Sequence, residues 1–235
     1  MSGLSAPDAV QQTDHRFHDV GSMFMLHADT MGRAGESGYT NPFAFYFVGR
    51  GGVLGDVDAD VVVAAMGWFQ PDIVRSNWEE GVAVAGAREG ARRYGQACAA
   101  WGRDHLGGVD EIDRLAVLAE QLVRSTESSA LPLFAGWRAE PLVDDAPGRA
   151  MQLIHLMREW RGGLHLVATT GAGLSPLEAI LTNEGEAQAR FFGWTGDLPD
   201  CSHLTGRYKD AQQRTNALAA AVYERALTAA ERTEL

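Results

Sequence analysis

Residues 153–168, LIHLMREWRGGLHLVA, decide the fold. The apolar side chains in this stretch recur every three or four positions, which is the period of an α-helix with one buried face. The same period continues on both sides and predicts a helix over about residues 148–170. Most other segments show this spacing, and no run of residues alternates cleanly in the β pattern. We therefore expect an all-α fold, a bundle of about 8–10 helices.

Charged and titratable side chains share one side of this helix. At 100° of rotation per residue, Arg158, Arg161 and His165 project within about 60° of one another, and His155 lies about 60° to the other side of Arg158. The apolar face is adjacent, so these groups lie at the edge of the core and need partners. One interpretation is a structural ion-pair network, with Glu159 and other acids neutralising the arginines. The other is a pocket that holds a carboxylate, phosphate or carbonyl group.

The pocket interpretation predicts an enzyme that performs acid–base chemistry on a largely apolar small molecule, namely a cyclisation, isomerisation or elimination. His165 would be the general acid or base near neutral pH, and Glu159 would orient it or share its proton. Arg158 and Arg161 would stabilise an enolate or carboxylate. No cofactor motif occurs, so we expect cofactor-independent chemistry. The substrate-binding candidates are His27, Arg50, His155, Trp160 and Glu178.

His27 supplies the alternative of a metal- or haem-dependent enzyme. It falls on the apolar stripe of a first helix that we expect over about residues 8–31. A lone histidine on such a face is more often a core residue than a ligand. Paired in space with His165 and with Glu159 or Glu178, it would complete a metal-binding set. The absence of H-x-x-x-H and E-x-x-H spacing argues against this alternative.

The acidic composition limits the partners. The chain has 31 Asp and Glu against 20 Lys and Arg, a formal net charge of −11. Nucleic acid binding, which depends on clustered positive charge, is therefore not expected. No stretch is long and apolar enough for a transmembrane helix, and residues 1–19 lack the runs of a signal peptide. We expect a cytoplasmic protein that does not bind membranes.

The chain divides by composition into two helical halves. We expect an N-terminal half at residues 1–130, a packed Pro-rich connector at 131–147 and a C-terminal half at 148–235 that carries the arginines and His165, all in one compact unit. A final helix is expected over about residues 205–232. Its apolar residues Leu218, Val222 and Leu227 suggest a seam for a homodimer.

Three segments carry a family resemblance. They are GRGGVLGDVDADVVVAAMGWFQPDIV at residues 49–74, LIHLMREWRGGLHLVA at 153–168 and GLSPLEAIL at 173–181. With them the chain resembles the SalK-like, helix-turn-helix-related family of actinobacterial proteins found in natural-product gene clusters. The family pattern R-E-x-R-G-x-x-H falls on Arg158, Glu159, Arg161, Gly162 and His165. The resemblance implies a role in actinobacterial secondary metabolism.

The chain departs from this family after Gly193 and Trp194. A winged-helix-like segment follows that pair in the family, whereas here only residues 195–203 precede Leu204. A recognition helix and wing would not fit in so short a segment. We therefore expect a reduced or missing winged-helix segment. A non-catalytic small-molecule-binding protein and a degenerate helix-turn-helix regulator remain further alternatives.

Overall fold

The computed structural model describes residues 3–235. Met1 and Ser2 lie outside the described residues. They are the first two residues of the predicted N-terminal half, and also of residues 1–19, for which no signal peptide is predicted. The described part is all helical and holds no β-strand, which confirms the predicted fold class. It has thirteen α-helices, more than the sequence predicts, because several segments with continuous apolar spacing contain a turn.

The helices are named α1 to α13 in chain order. Their bounds are Ala6–Met23, Ala28–Glu36, Pro42–Gly51, Ala59–Met66, Pro71–Ala85, Ala87–Leu106, Ile112–Arg124, Pro132–Ala139, Ala146–Gly171, Pro176–Asn183, Glu186–Phe191, Thr205–Ala226 and Ala229–Glu234. Two 3-10 turns, Gly52–Leu54 and Ser202–Leu204, complete the helical structure of residues 3–235.

Helix α9 is the centre of the bundle. Asp145 caps it by accepting a hydrogen bond from the backbone N–H of Gly148 at 3.0 Å, so the helix begins slightly before the predicted position. It packs against α1, α6, α7, α8 and α12. Met151 and Leu153 are fully buried on it, and burial of such a side chain contributes roughly 1.5–3 kcal/mol. No single helix in residues 3–235 has both the length and the apolar character of a membrane span. Helices α9 and α10, which meet at an angle of 105°, together have the length and composition of a broken membrane span.

The predicted first helix over residues 8–31 is wrong. Helix α1 ends before Phe24, and α2 begins after His27, which is its N-cap. The backbone N–H of Asp29 donates to Nδ1 of His27 at 3.3 Å. Phe24 is buried within the turn, and for this reason the apolar spacing continues where the helix does not.

The predicted last helix over residues 205–232 is also divided. Helix α12 ends at Ala226, and Thr228 begins α13 through a capping box with Glu231. Apolar residues continue across this break too, so their spacing alone conceals it.

Two of the three residues predicted to form a homodimer seam on this segment are not at the surface. Val222 and Leu227 are buried in the core of the chain, whereas Leu218 is exposed. An exposed apolar stripe needs several neighbouring side chains, and only one of the three remains at the surface. The homodimer itself stays a prediction without a surface assigned to it.

The connector at residues 131–147 is packed. It contains α8, on which Leu133, Phe134 and Trp137 are buried. The indole Nε1–H of Trp137 donates to the backbone carbonyl of Arg50 at 3.2 Å. This contact ties the connector to the end of α3, which borders the cavity described below.

The segment after Trp194 is as short as the sequence indicates. Residues 195–201 form neither helix nor strand, and the 3-10 turn Ser202–Leu204 leads directly into α12. A wing is a β-hairpin, and residues 3–235 contain no strand. The described chain therefore has no winged segment at this position.

Candidate ligand-binding cavity

A cavity of about 770 Å³ lies between α9 and the helices around it. Residues of α1, α3, α4, α8, α10, α11 and α12 contribute to its wall. Sites for small molecules in proteins have volumes of roughly 300–1,000 Å³ and occur between helices of bundles. This cavity therefore has the size and location of a small-molecule site.

One side of the cavity is aromatic. The rings of Phe69 and Phe192 meet edge to face with centroids 4.7 Å apart, and Trp68 lies beside them. Phe43 and Phe191 also line this side, with centroids 6.5 Å apart. Phe191 is 51% exposed, which places it at the mouth. Such a wall favours a largely apolar or aromatic occupant.

Another part of the wall holds a buried ion pair. Arg50 donates two hydrogen bonds of 2.9 Å to the carboxylate of Glu159, and the two residues are only 7% and 4% exposed. Arg50 also donates to the hydroxyl of Tyr46. Burial by itself raises the pKa of Glu159, but the neighbouring arginines outweigh it and lower that pKa to about 2. Glu159 is therefore a carboxylate committed to Arg50.

The other two arginines are also partnered. Nε of Arg158 donates to Oγ of Ser22 at 2.8 Å, and its Nη1 donates to Glu159 at 3.2 Å. Arg161 forms an ion pair with Asp14 and donates to Oδ1 of Asn216 at 2.8 Å. The ion-pair network of the first interpretation is thus present. Nη2 of Arg158 and Nη1 of Arg161 have no hydrogen-bond partner in residues 3–235, so this network leaves both as donors for a ligand.

The hydrogen bonds of His165 fix its tautomer. Oγ1 of Thr215 donates to the backbone carbonyl of Ala211 at 2.8 Å, so it must accept from Nδ1 of His165, 3.1 Å away. Nε2 then carries the lone pair, and the hydroxyl of Tyr208 donates to it at 3.2 Å. The imidazole stacks on Trp68 with ring centroids 5.6 Å apart. A donor–acceptor pair, Tyr208 and His165, therefore lies in the cavity wall.

Burial sets the protonation states of this pair. It lowers the pKa of His165 to about 4, and the charge of Arg161 acts in the same direction. It raises the pKa of Tyr208 to about 12, with a contribution from Glu184. The expected titration of His165 near neutral pH is therefore wrong. Its expected pairing with Glu159 is also wrong, since Arg50 binds that carboxylate and Tyr208 and Thr215 bind the imidazole.

Three predicted substrate-binding residues lie outside the cavity wall. His155 is 2% exposed among the rings of Phe24 and Trp137, and burial lowers its pKa to about 3. Trp160 is buried and stacks on a ring of α12. Glu178 accepts hydrogen bonds from Ser175 in the capping box of α10. Their polar or aromatic character serves the core and a helix cap.

His27 is also separated from the cavity. As the N-cap of α2 it lies beside His105 and Asp29, with 37% of its side chain exposed. No group of metal-ligating side chains in the described chain joins His27 to His165. The predicted metal set of His27, His165 and a glutamate is therefore not formed.

Two hydrogen-bond partners of His165 were not predicted from the sequence. Tyr208 and Thr215 both lie on α12, in a polar stretch with the character of a solvated helix face. Only the packing of α12 against α9 brings them to His165. Arg50, which the sequence suggested as a substrate-binding residue, lines the cavity.

A family model described as a helix-turn-helix family matches residues 10–200. The match covers well over half of the chain, and the chain belongs to this helix-turn-helix family. Comparisons with curated proteins and with solved structures gave no significant match.

Proposed function

We propose that this chain binds a largely apolar small molecule in the cavity and transforms it by acid–base chemistry. The observation that carries the proposal is the composition of the wall. An aromatic part, in which Trp68 stacks on His165, adjoins a polar part that presents Arg158, Tyr208 and the neutral His165. The resemblance to the SalK-like family supports a substrate from an actinobacterial natural-product pathway as part of this proposal.

The charges of the wall narrow the class of ligand. Arg50 and Arg161 are neutralised by Glu159 and Asp14, so the cavity offers no unpaired cationic pair for a phosphate. Nη2 of Arg158 and the Tyr208 hydroxyl suit a neutral acceptor such as a ketone or quinone oxygen. We therefore favour a carbonyl compound over the strong anion that the arginines suggest in sequence.

Tyr208 and His165 can together move a proton. A carbonyl oxygen of the ligand would accept the hydrogen bond that Tyr208 now donates to Nε2 of His165. Nε2, which is unprotonated at neutral pH, would then take a proton from the adjacent carbon, forming an enolate stabilised by Tyr208 and Arg158. Return of that proton to another carbon completes an isomerisation in which every atom is conserved. This sequence needs no cofactor.

Gly162 keeps part of the cavity open. A Cβ added to this residue would meet no atom within 4 Å, whereas a Cβ on Gly163 would lie 2.8 Å from Cδ2 of Leu131. Glycine inside a helix costs about 0.5–1 kcal/mol relative to alanine. Packing explains this cost at Gly163 but not at Gly162, which lines the cavity. We attribute the cost at Gly162 to the space that a ligand needs.

Gly162→Phe therefore tests the proposal. We expect the neutral aromatic ketone Nile red to bind the wild-type chain saturably, with a rise in fluorescence, and Gly162→Phe to weaken binding at least tenfold while leaving the melting temperature unchanged or higher. Gly32→Phe is the control, because Gly32 also lies inside a helix with nothing within 4 Å but does not line the cavity. Equal binding by Gly162→Phe and wild type would contradict the proposal.

Membership of a helix-turn-helix family favours a second candidate, a ligand-responsive regulator. The acidic charge opposes it, since residues 175–200 carry five acidic side chains and one arginine. A gel shift with DNA flanking the gene at low salt separates the candidates. A sequence-specific shift that Nile red or a natural ligand alters would support the regulator over the enzyme.

A further inference from the structure

A second group of polar side chains lies outside the cavity, where α2 begins and α6 ends. Nδ1 of His27 is 3.2 Å from Oδ2 of Asp29, and Nε2 of His105 is 2.9 Å from the same oxygen. All three atoms lie within 4.8 Å of one another. Residue 105 is far in sequence from residues 27 and 29, and the packing of α2 on α6 brings it to them.

We propose that His27, Asp29 and His105 bind a divalent transition-metal ion, Zn²⁺ in the first instance. Two imidazole nitrogens and one carboxylate oxygen are typical zinc ligands, with metal–ligand distances of about 2.0–2.2 Å. In a tetrahedral site such ligands are roughly 3.4 Å apart, which is close to the two distances that join the imidazole nitrogens to Oδ2 of Asp29. Three protein ligands leave the fourth position for water.

Neighbouring groups hold the three ligands in place. The ring of Trp101, which is buried on α6, stacks on His105 with centroids 4.5 Å apart and an interplanar angle of 25°. The same indole meets His27 edge to face at 6.0 Å. A half-exposed ion pair of 3.3 Å between Arg33 and Asp104 also joins α2 to α6. A metal ion would bind to ligands that are already converged, at a small cost in side-chain entropy.

Helix capping is the competing explanation for His27. Its Nδ1 lone pair can accept the backbone N–H of Asp29 or bind a metal, but not both. The capping bond is long, 3.3 Å, and serine or asparagine supplies a better cap. Capping also gives no reason for His105 and Asp29 to converge on the same point. The variant His27→Ser separates the two roles, because it keeps a cap and removes the imidazole.

The site adjoins the cavity through the chain. Met25 and Leu26 line the cavity wall and directly precede His27. A metal ion at His27 would restrain the turn between α1 and α2 that carries them. This consequence is independent of the acid–base proposal, which uses none of the three ligands.

The test is a titration of Zn²⁺ into the full chain, free of any polyhistidine tag and treated with chelator, followed by calorimetry. We expect saturable binding of one ion per chain and a higher melting temperature with Zn²⁺. His105→Ala, Asp29→Asn and His27→Ser should each lose affinity at least about tenfold. His203→Ala, which removes an exposed histidine elsewhere, should bind as wild type.

The outcome at His105 decides the proposal. Its side chain is partly exposed in the last turn of α6, so His105→Ala should fold like the wild type. An unchanged zinc affinity in His105→Ala, or no saturable binding by the wild-type chain, overturns the site. Loss of affinity in His27→Ser, with the melting temperature of the metal-free protein retained, supports a ligand role over a capping role.

Discussion

The two halves of helix α9 have opposite roles. Residues 150–157 are almost all buried and build the core. Residues 161–166 are all partly exposed, and all of them except Leu164 line the cavity together with Arg158 and Glu159. His155 lies in the first half among aromatic rings with no hydrogen-bond partner in residues 3–235, and His165 lies in the second half between two hydroxyl groups. One continuous helix therefore contributes both to the packed core and to the cavity wall, because different helices pack against its two halves.

The largest effect is expected at the boundary of the halves, from Arg50→Leu. This change leaves the buried carboxylate of Glu159 without its main partner, and breaking such a pair costs about 3–5 kcal/mol. Urea denaturation measures the change. Arg103→Leu is the control, because its pair with Asp145 is half exposed and contributes at most about 1 kcal/mol. Similar losses for the two variants would contradict the account.

The core half predicts a pH dependence of stability. Burial lowers the pKa of His155 to about 3, below its ordinary value of about 6.5. The unfolded chain therefore binds a proton that the folded chain refuses, and stability is lost as pH falls from about 6.5 towards 3. His155→Leu removes this loss. Between pH 7 and pH 5 it should lose about 2 kcal/mol less stability than wild type in urea melts. Parallel pH profiles would show that His155 is not buried as described.

The cavity half predicts a contrast between adjacent glycines. Gly162→Ala should stabilise the chain by about 0.5–1 kcal/mol, because the new methyl group meets open space and the helix loses a flexible residue. Gly163→Ala should gain less or destabilise, since Leu131 must move away from the added Cβ. Thermal melts of the two variants give the comparison. An equal gain at both positions would contradict the close contact between Gly163 and Leu131, and a loss of stability in Gly162→Ala would contradict the open space at Gly162.

The smallest effect on stability is expected from Tyr208→Phe. The hydroxyl is partly exposed in the cavity, so its removal should leave the melting temperature within a few degrees of the wild type. Loss of one hydrogen bond to a bound carbonyl, worth about 0.5–1.5 kcal/mol, should weaken Nile red binding by about two- to tenfold. Fluorescence titration measures this. Unchanged affinity would remove Tyr208 from the proposed set of ligand donors.

Local sequence signals predicted most of the fold. The 3.6-residue period located α9. The break between α1 and α2 was not predicted, because Phe24 is buried although it lies in a turn. Tertiary packing buries this side chain, so its apolar character does not indicate a helix. The same reason hides the break before Thr228.

The candidate site was only partly predictable. The helical phase placed Arg158, Arg161 and His165 on one side of α9, and all three line the cavity. It could not distinguish His155 from His165, because their surroundings come from different neighbouring helices. Nor could it find Tyr208, which reaches His165 only through the packing of α12 on α9. Contacts between distant segments carry no signal in one sequence.

A crystal structure of the chain soaked with Nile red tests the central claim most directly. The account predicts one dye molecule in the cavity, with its rings against Trp68 and Phe69, its edge at Gly162 and its carbonyl oxygen within hydrogen-bond distance of Tyr208 or Arg158. Dye bound only on the outer surface, with the space beside Gly162 closed by protein side chains, would contradict it.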